Sequence, residues 1–176
     1  MTNYIYIAES IDGFIARENG SIDWLLEIPN PDGSDYGFAD FMKNIDALVM
    51  GRNTFETVVS MEFWPYEKPV FVLSKSLKNI PADKTGKAEI ITGAPAEIVK
   101  RLNSRGFNNL YIDGGKTIQS FLKEGLIDEM IITRIPILLG KGIPLFGEID
   151  CAQKFVHAGT EVLNGILVKS HYIKTN

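Results

Sequence analysis

The sequence predicts a single α/β domain over residues 1–176, with a mostly parallel central sheet and an antiparallel hairpin at its C-terminal end. Up to about residue 125, short apolar runs alternate with segments of helical periodicity, which is the pattern of strands joined by helices. From residue 128 onward, strand patterns follow one another directly, and Asn164-Gly165 joins the last two with a strong hairpin signal. The 176 residues, 45% of them hydrophobic, are enough for one complete core.

The elements of the alternating part can be assigned in order. Residues 4–8 form a β-rich run, and residues 19–37 form a long loop because they are rich in Asn, Gly, Pro, Asp and Ser. Apolar side chains at helical spacing predict a helix over residues 35–45. The later elements are strand 46–50, helix 53–60, strands 70–73 and 89–92, helix 95–105, strand 110–112 and helix 116–123.

The antiparallel part is predicted to contain three strands. The first covers residues 130–139 and contains Pro136, which indicates a sheet edge or a bulge because proline cannot donate a ladder hydrogen bond. The other two cover residues 154–163 and 166–173, on either side of the Asn-Gly turn.

Charge and composition exclude several classes of function. A net charge of −4 and a pI near 5.2 argue against nucleic acid or an anionic membrane as the main partner. The single cysteine, Cys151, cannot form an internal disulfide, and no apolar run approaches the roughly 18 residues of a membrane span. The N-terminus lacks the pattern of a signal peptide, so we expect a cytoplasmic protein. His157 and His171 lack metal-ligand spacing, so we expect no metal site.

Three predicted strands end in residues of the same chemistry: a cation, a hydroxyl, and either glycine or a helix N-terminus. The three ends are Gly51-Arg52-Asn53-Thr54, Ser74-Lys75-Ser76 and Gly114-Gly115-Lys116-Thr117. Ligands of open α/β sheets bind beyond the carboxyl ends of the strands, where helix N-termini, glycine and arginine favour phosphate. The three ends together therefore predict a site for a ligand with several phosphates.

Each of the three ends also has a simpler explanation. Arg52 could form a surface ion pair, Ser74-Lys75-Ser76 could be a solvated turn, and Gly114-Gly115 could be a tight connection from strand to helix.

The order of these motifs along the chain resembles the dihydrofolate reductase fold. It is more similar to the branch that contains the reductase domain of the bifunctional riboflavin-pathway deaminase–reductase. The resemblance covers residues 4–146, and the C-terminal hairpin is also expected in the fold. Its motifs are residues 10–16 (SIDGFIA), 50–56 (MGRNTFE), 72–76 (VLSKS), 114–115 (GG), 126–136 (LIDEMIITRIP) and 138–146 (LLGKGIPLF).

This resemblance implies a three-layer α/β/α domain that binds NADPH. It implies that Gly51, Arg52 and Thr54 hold the pyrophosphate and the adenosine-phosphate side, and that Ser74 and Lys75 lie near the ribose 2′-phosphate. On the other side of the pyrophosphate it places Gly114, Gly115, Lys116 and Thr117.

The implied activity is NADPH-dependent hydride transfer to a pteridine, a pyrimidinone such as a 5-amino-6-(5-phosphoribosylamino)uracil-like compound, or a related heterocycle. A non-catalytic NADP-binding or scaffold protein that retains the fold is the alternative. The resemblance also implies a homodimer, for which we expect residues 130–146 to form the contact.

The residues expected on the substrate side each have a structural alternative. Asp35 has the spacing of the carboxylate that holds the substrate in dihydrofolate reductases, so it is the candidate catalytic residue, but it could equally cap a helix. Asp40 is a second carboxylate nearby. Trp24 and Asp12 are candidate substrate-binding residues, although Trp24 could cover the core and Asp12 could belong to a turn with Gly13.

Overall fold

The structure is a computed structural model of the chain that describes residues 1–61 and 63–175. Its strands are β1 (Thr2–Ser10), β2 (Phe14–Ala16), β3 (Ala47–Gly51), β4 (Val70–Leu73), β5 (Ala88–Ile91), β6 (Asn109–Asp113), β7 (Glu129–Ile135), β8 (Ile143–Pro144), β9 (Phe155–Leu163) and β10 (Leu167–Lys174). Its α-helices are α1 (Asp23–Leu26), α2 (Phe38–Lys43), α3 (Arg52–Val59), α4 (Pro95–Ser104) and α5 (Gly115–Lys123), and Ala82–Lys84 form a 3₁₀ turn.

Eight of the described strands form one sheet in the order β5-β4-β3-β6-β1-β7-β10-β9. The first six strands in this order run parallel to one another, and β10 pairs antiparallel with both β7 and β9. This arrangement confirms the predicted fold class, a mostly parallel sheet that ends in an antiparallel hairpin. Strand β3 is apolar because both of its faces are covered, and it is fully buried from Ala47 to Met50.

Helices cover both faces of the sheet. On one face, Val49 and Ile112 belong to a core with Ile98 of α4 and Phe121 of α5. The opposite face has a core that includes Tyr111 and Met50 of the sheet, Phe41 of α2 and Phe55 of α3. Residues alternate between these cores along each strand, so the domain has the three layers that the resemblance implies.

The direction in which successive strands are added to the sheet reverses between β3 and β6, which are parallel neighbours. From β3 the chain continues through α3 to β4 at one side, whereas from β6 it continues through α5 to β7 at the other. Helices α3 and α5 therefore begin on opposite faces of the sheet, directly beyond these two strands. Such a reversal is where open α/β sheets leave a crevice for a ligand.

A gap opens in the sheet beside this reversal point. Strands β1 and β6 pair only as far as Tyr4 and Tyr111, although β1 continues to Ser10 and β6 to Asp113. Beyond that level β1 stays paired with β7, and β6 stays paired with β3. The upper parts of β1 and β6 thus border an opening that we call the cleft.

The structure differs from the predicted elements in a few places. Strand β7 ends at Ile135, and it lies between β1 and β10, so the prediction of a longer strand with an edge or bulge at Pro136 was wrong. Proline cannot donate the next ladder hydrogen bond, and here it ends the strand. The long loop contains α1, and the ribbon formed by β2 and β8 was not predicted because such short strands show no periodicity.

Within the described residues, no helix is long and apolar enough to cross a lipid bilayer. In the same residues, no three His, Cys, Asp or Glu side chains lie close enough together to hold a metal ion.

Candidate functional site

Two glycine turns interlock at the carboxyl ends of β3 and β6. A Cβ atom on Gly114 would lie 2.2 Å from Oγ1 of Thr54, and one on Gly51 would lie 2.9 Å from Oγ1 of Thr117. Each glycine therefore accommodates the third residue of the helix that starts at the other turn. Gly114 also has a φ of +85°, which favours glycine. Together the two turns bring the N-termini of α3 and α5 to one place.

The end of β4 is joined to the end of β3 by a side-chain hydrogen bond. Arg52 donates from Nη1 to Oγ of Ser76 at 3.1 Å, while its Nε lies 3.7 Å from a carboxylate oxygen of Glu56. Lys75, between Ser74 and Ser76, is exposed. The structure thus brings together all three predicted strand ends, and we call residues 51–54, 74–76 and 114–117 the cradle.

Two predicted cofactor residues of the cradle have contacts within the protein. Ser74 closes a turn, since its Oγ accepts hydrogen bonds from the backbone N–H groups of Ser76 at 3.2 Å and Leu77 at 2.9 Å, but its side chain is buried and not solvated as the alternative expected. A Cβ on Gly115 would lie 2.8 Å from Cδ1 of Ile15, so this glycine allows α5 to pack on the ribbon of β2 and β8. Their roles in cofactor binding stay predictions.

The exposed groups of the cradle suit a ligand with several phosphates. Arg52, Lys75 and Lys116 are exposed cations, and both helices that begin there contribute N–H groups that point away from the helix body. A side chain at either glycine would clash with a threonine of the opposite turn, so the glycines let the two helix N-termini approach each other. The residues present therefore fit the pyrophosphate of a dinucleotide, the group that the resemblance implies.

Asp113 is the last residue of β6 and lies at the cleft, beside the cradle. Its Oδ1 accepts a hydrogen bond from the N–H of Gly114 at 2.8 Å. Burial of the carboxyl outweighs the effect of this hydrogen bond and raises its pKa from 3.8 to about 6. A carboxyl with this pKa can hold or release a proton near neutral pH.

Tyr66 and Tyr111 lie near this carboxyl, and Tyr6 lies across the cleft on β1. Tyr111 donates a hydrogen bond from its hydroxyl to the carbonyl oxygen of Tyr6 at 2.8 Å, which spans the lower end of the cleft. Burial raises the pKa of Tyr6 to about 12, and burial and the Asp113 carboxylate raise the pKa values of Tyr66 and Tyr111. All three phenols therefore stay neutral at physiological pH, and Asp113 is the group among these four that titrates there.

Asp113 is not among the site residues predicted from the sequence. The available signal was an acidic residue directly after the apolar run 110–112 and directly before two glycines, at the carboxyl end of a central strand. Neither the raised pKa nor the end of β1–β6 pairing can be deduced from that pattern.

Asp35, the predicted catalytic residue, is exposed and holds the start of α2. Its Oδ1 accepts a hydrogen bond from the N–H of Gly37 at 2.9 Å, and its Oδ2 accepts one from the N–H of Ala39 at 2.8 Å. These hydrogen bonds lower its pKa, so the carboxylate is ionised at neutral pH. The contacts support the capping alternative, while a catalytic role stays a prediction.

Asp12 ties the turn after β1 to the loop after β7. Its Oδ1 accepts hydrogen bonds from Oγ of Ser10 at 2.6 Å and from the N–H of Leu139 at 3.1 Å, and its Oδ2 accepts one from the N–H of Gly140 at 2.8 Å. The hydrogen bond from Ser10 and those from the loop lower its pKa. Both oxygens are occupied, which supports the turn alternative over substrate binding.

Trp24 is 2% exposed and packs with Ile135 and Leu167 in a small core above the sheet. Its indole Nε1 is buried without a hydrogen-bond partner in the described part of the chain. The packing supports the alternative in which this side chain covers the core.

Comparisons with known proteins agree with this architecture. The sequence profile of the family described as RibD C-terminal domain matches residues 4–168. The uncharacterized protein YwjB of Bacillus subtilis is 39% identical over 173 residues, which are 97% of this chain and 96% of that protein. A second uncharacterized protein of the same organism, YyaP, is 32% identical over 158 residues.

Solved structures show the same fold. A putative riboflavin biosynthesis protein from Shewanella sp. PV-4 has a TM-score of 0.96 and 48% identity, with all of both chains covered. The diaminohydroxyphosphoribosylaminopyrimidine deaminase/5-amino-6-(5-phosphoribosylamino)uracil reductase of Thermotoga maritima has a TM-score of 0.76 and 15% identity over 99% of this chain and 56% of that one. The profile match over most of the chain and the curated relatives above 30% identity determine the family. The chain belongs to the RibD C-terminal domain family and has its dihydrofolate reductase-like fold.

Proposed function

We propose that the protein is an NADPH-dependent reductase of a pyrimidinone, pteridine or related heterocycle. The observation that carries this proposal is the position of Asp113, a carboxyl with a pKa of about 6, between the phosphate-binding cradle and the cleft. Nucleotide binding alone does not require a buried carboxyl whose ionised form is destabilised at that point. Membership of the RibD C-terminal domain family supports the same reaction class.

The cradle residues would hold the cofactor. Gly51 and Gly114 would let the two helix N-termini, with Thr54 and Thr117, approach the pyrophosphate together, and the exposed cations Arg52 and Lys116 would neutralise it. Lys75 and Ser76 would contact the ribose 2′-phosphate, with Ser74 shaping their turn. When bound, NADPH supplies a hydride to a C=N or C=O bond of the acceptor.

The protein's own residues position the acceptor and donate the proton. In this proposal the acceptor ring lies against the upper parts of β1 and β6, where the ladder between them has ended, and Asp113 reaches the heteroatom next to the reduced carbon. Asp113 then holds the proton at its carboxyl oxygen and gives it to that heteroatom. Because the neighbouring tyrosines stay neutral, they contribute hydrogen bonds without opposing the change in charge.

The cofactor part of the proposal is tested by comparing NADPH and NADH. In a calorimetric titration we expect tighter binding of NADPH, since a hydrogen bond to a charged group contributes roughly 1.5–3 kcal/mol when well made and less when exposed. Lys75→Glu should weaken NADPH by at least about tenfold and leave NADH nearly unchanged. Lys87→Glu makes the same charge change before β5, at the other end of the sheet, and should affect neither cofactor.

Equal affinity of the wild type for the two cofactors would remove the assignment of Lys75 and Ser76 to the 2′-phosphate. The catalytic part is tested separately, by following NADPH oxidation with a panel of heterocycles. An Asp113→Asn variant that oxidises NADPH as fast as the wild type would remove Asp113 from the mechanism, and a wild type inactive on every heterocycle would favour the non-catalytic alternative.

We also propose that the protein forms a homodimer, with a contact that differs from the one expected. Met130 and Ile132 of the expected segment lie in the core, so that part of residues 130–146 cannot reach a partner. Leu138 and Phe146 are 69% and 47% exposed and remain available. A sedimentation experiment at micromolar concentration should show a species of about twice 19.6 kDa, whereas a single monomeric species would exclude the dimer.

A further inference from the structure

We propose that Glu56 limits the preference of the protein for NADPH over NADH, because its carboxylate competes with the ribose 2′-phosphate for Arg52. This inference rests on the proposed function, since it treats the end of β4 as the place where that phosphate binds. It adds to the cradle a residue that opposes the extra charge of NADPH instead of binding it.

Arg52 connects the two parts of the cradle that would receive phosphate. It is the first residue of α3, and its Nη1 crosses to the turn after β4, where it donates to Oγ of Ser76 at 3.1 Å. Its guanidinium therefore lies beside the N-terminus of α3 and also beside the proposed 2′-phosphate site. We call Arg52, Lys75 and Ser76 the clamp.

The side chains of the clamp can all donate to an anion. Oγ of Ser76 accepts the hydrogen bond from Arg52, so its own hydroxyl proton points away from the arginine. Oγ of Ser74 lies 3.5 Å from this hydroxyl, at the limit of a hydrogen bond, and already accepts two backbone N–H groups of the turn. Lys75 is exposed between the two serines. The clamp therefore offers one ammonium, one guanidinium and one hydroxyl to a phosphate.

Glu56 brings a negative charge to the clamp. Its Oε1 lies 3.7 Å from Nε of Arg52, and the two side chains are 55% and 45% exposed. A spacing of four residues places both on the same face of α3. At 3.7 Å the contact is an ion pair without a normal hydrogen bond, so the guanidinium keeps N–H groups for a further partner.

Helix stability does not explain why Arg52 and Glu56 stand in this order. The first turn of a helix is the positive end of its dipole, where acids are favoured and cations are not. An acid four residues before a base also stabilises a helix more than the reverse order does. Arg52 at the start of α3, with Glu56 after it, goes against both preferences. A bound anion at the start of the helix accounts for the arginine.

A 2′-phosphate at the clamp would share this guanidinium with the Glu56 carboxylate. Such a phosphate carries between one and two negative charges near neutral pH, whereas NADH has an uncharged hydroxyl at the same position. Glu56 repels the pyrophosphate of both cofactors alike, but only NADPH brings the additional charge. The ratio of the two affinities therefore isolates the effect of Glu56 on the 2′-phosphate.

The expected effect is modest because both side chains of the ion pair are about half exposed. In surroundings of water-like dielectric constant, one unit charge beside the same guanidinium should change the affinity ratio by about fivefold at about 10 mM salt. At about 0.5 M salt, screening should reduce the change to less than about twofold.

The test measures the affinities of NADPH and NADH by calorimetric titration at these two salt concentrations. In Glu56→Gln, we expect the NADPH-to-NADH affinity ratio to rise about fivefold at low salt and less than about twofold at high salt. Glu56→Asp keeps the charge and should leave the ratio close to that of the wild type. Because Glu56 is exposed, neither substitution should disturb the core.

Glu161→Gln is the matched control. Glu161 is also 55% exposed and also forms an ion pair, with Lys169, but it lies on β9, and five strands separate β9 from β4. Its replacement should leave the ratio unchanged. Adenosine 2′-monophosphate and adenosine test the clamp without the nicotinamide part of the cofactor, and Glu56→Gln should strengthen the binding of the monophosphate alone.

An unchanged ratio in Glu56→Gln, a lower ratio, or a rise that is equal at both salt concentrations would overturn the inference. A wild type that prefers NADPH, with a ratio that does not respond to Glu56→Gln, would keep the proposed function and lose this inference. Equal affinities in the wild type that become unequal in Glu56→Gln would remove the proposed NADPH preference and keep the role of Glu56. Binding of neither cofactor and neither adenosine ligand would remove both.

Discussion

Replacing Asp113 with asparagine should make the protein more stable at neutral pH while removing the proposed reductase activity. The native carboxyl has a pKa of about 6, compared with 3.8 for an ordinary aspartate. The native state therefore binds this proton more tightly than the unfolded state does. Between these two pH values the free energy of unfolding falls as the pH rises, because the native carboxyl must ionise in a buried position.

The size of the effect follows from the difference between the two pKa values. At about 1.4 kcal/mol for each pKa unit, the buried carboxylate costs about 3 kcal/mol at pH 7. This is an upper value, because the residue as a whole keeps some exposure to solvent. The asparagine of the variant would have no charge to bury, and its side-chain oxygen can still accept the hydrogen bond from Gly114.

The assay is denaturant unfolding of the wild type and Asp113→Asn between pH 4 and pH 8. We expect equal stabilities near pH 4 and a gain in the variant that grows to about 3 kcal/mol at pH 7, or roughly 6–12 °C in Tm for a domain of this size. Asp32→Asn, on an exposed loop, serves as the control and should show no such gain. A stability difference that does not change with pH would refute the reasoning.

Other substitutions test the remaining contacts. Gly114→Ala should lower the free energy of unfolding by about 1–2 kcal/mol because of the positive φ, and by a further 1–3 kcal/mol because of the clash with Thr54. Gly165→Ala, with a φ of +66° and open space around it, should show only the loss due to φ when thermal unfolding is measured. Asp12→Asn should lower Tm, most clearly above the ordinary pKa of aspartate, and should speed hydrogen exchange at the two loop amides that it binds. Asp35→Asn should leave kcat unchanged between pH 5 and pH 8 if its role is only to cap α2, and a large loss of kcat would support the catalytic role implied by the resemblance.

The fold could be predicted well from local patterns. The alternation of apolar runs with helical segments indicated the parallel part, and Asn164-Gly165 lies at the tip of the hairpin between β9 and β10. The predicted strand 110–112 was short by one residue at each end, since Asn109 and Asp113 lack the apolar character on which the boundaries depended. Pro136 gave a real signal of interrupted pairing, but its effect was to end β7 and not to bend it.

The site was predictable only where its chemistry is repeated along the chain. Three ends with the same residue types indicated the cradle, and the structure brings them together. The roles of Asp35 and Asp12 were harder to predict, because a carboxylate that caps a helix or closes a turn has the same local sequence as one that holds a substrate. Asp113 depended on long-range burial and on the separation of β1 from β6, neither of which has a periodicity to detect.

The interlocked turns constrain how this protein can evolve. Gly51 has an ordinary φ of −76°, so only the hydroxyl of Thr117 prevents a larger residue there, and a smaller residue at 117 would remove that obstacle. Gly114 faces Thr54 in the same manner, but its φ of +85° would still require glycine after Thr54 had been replaced. Related sequences should therefore exchange volume between positions 51 and 117 in a correlated way, while position 114 stays glycine whatever occupies position 54. In a laboratory selection, single changes at position 51 should be lost, and the same changes should survive when position 117 is diversified in the same library.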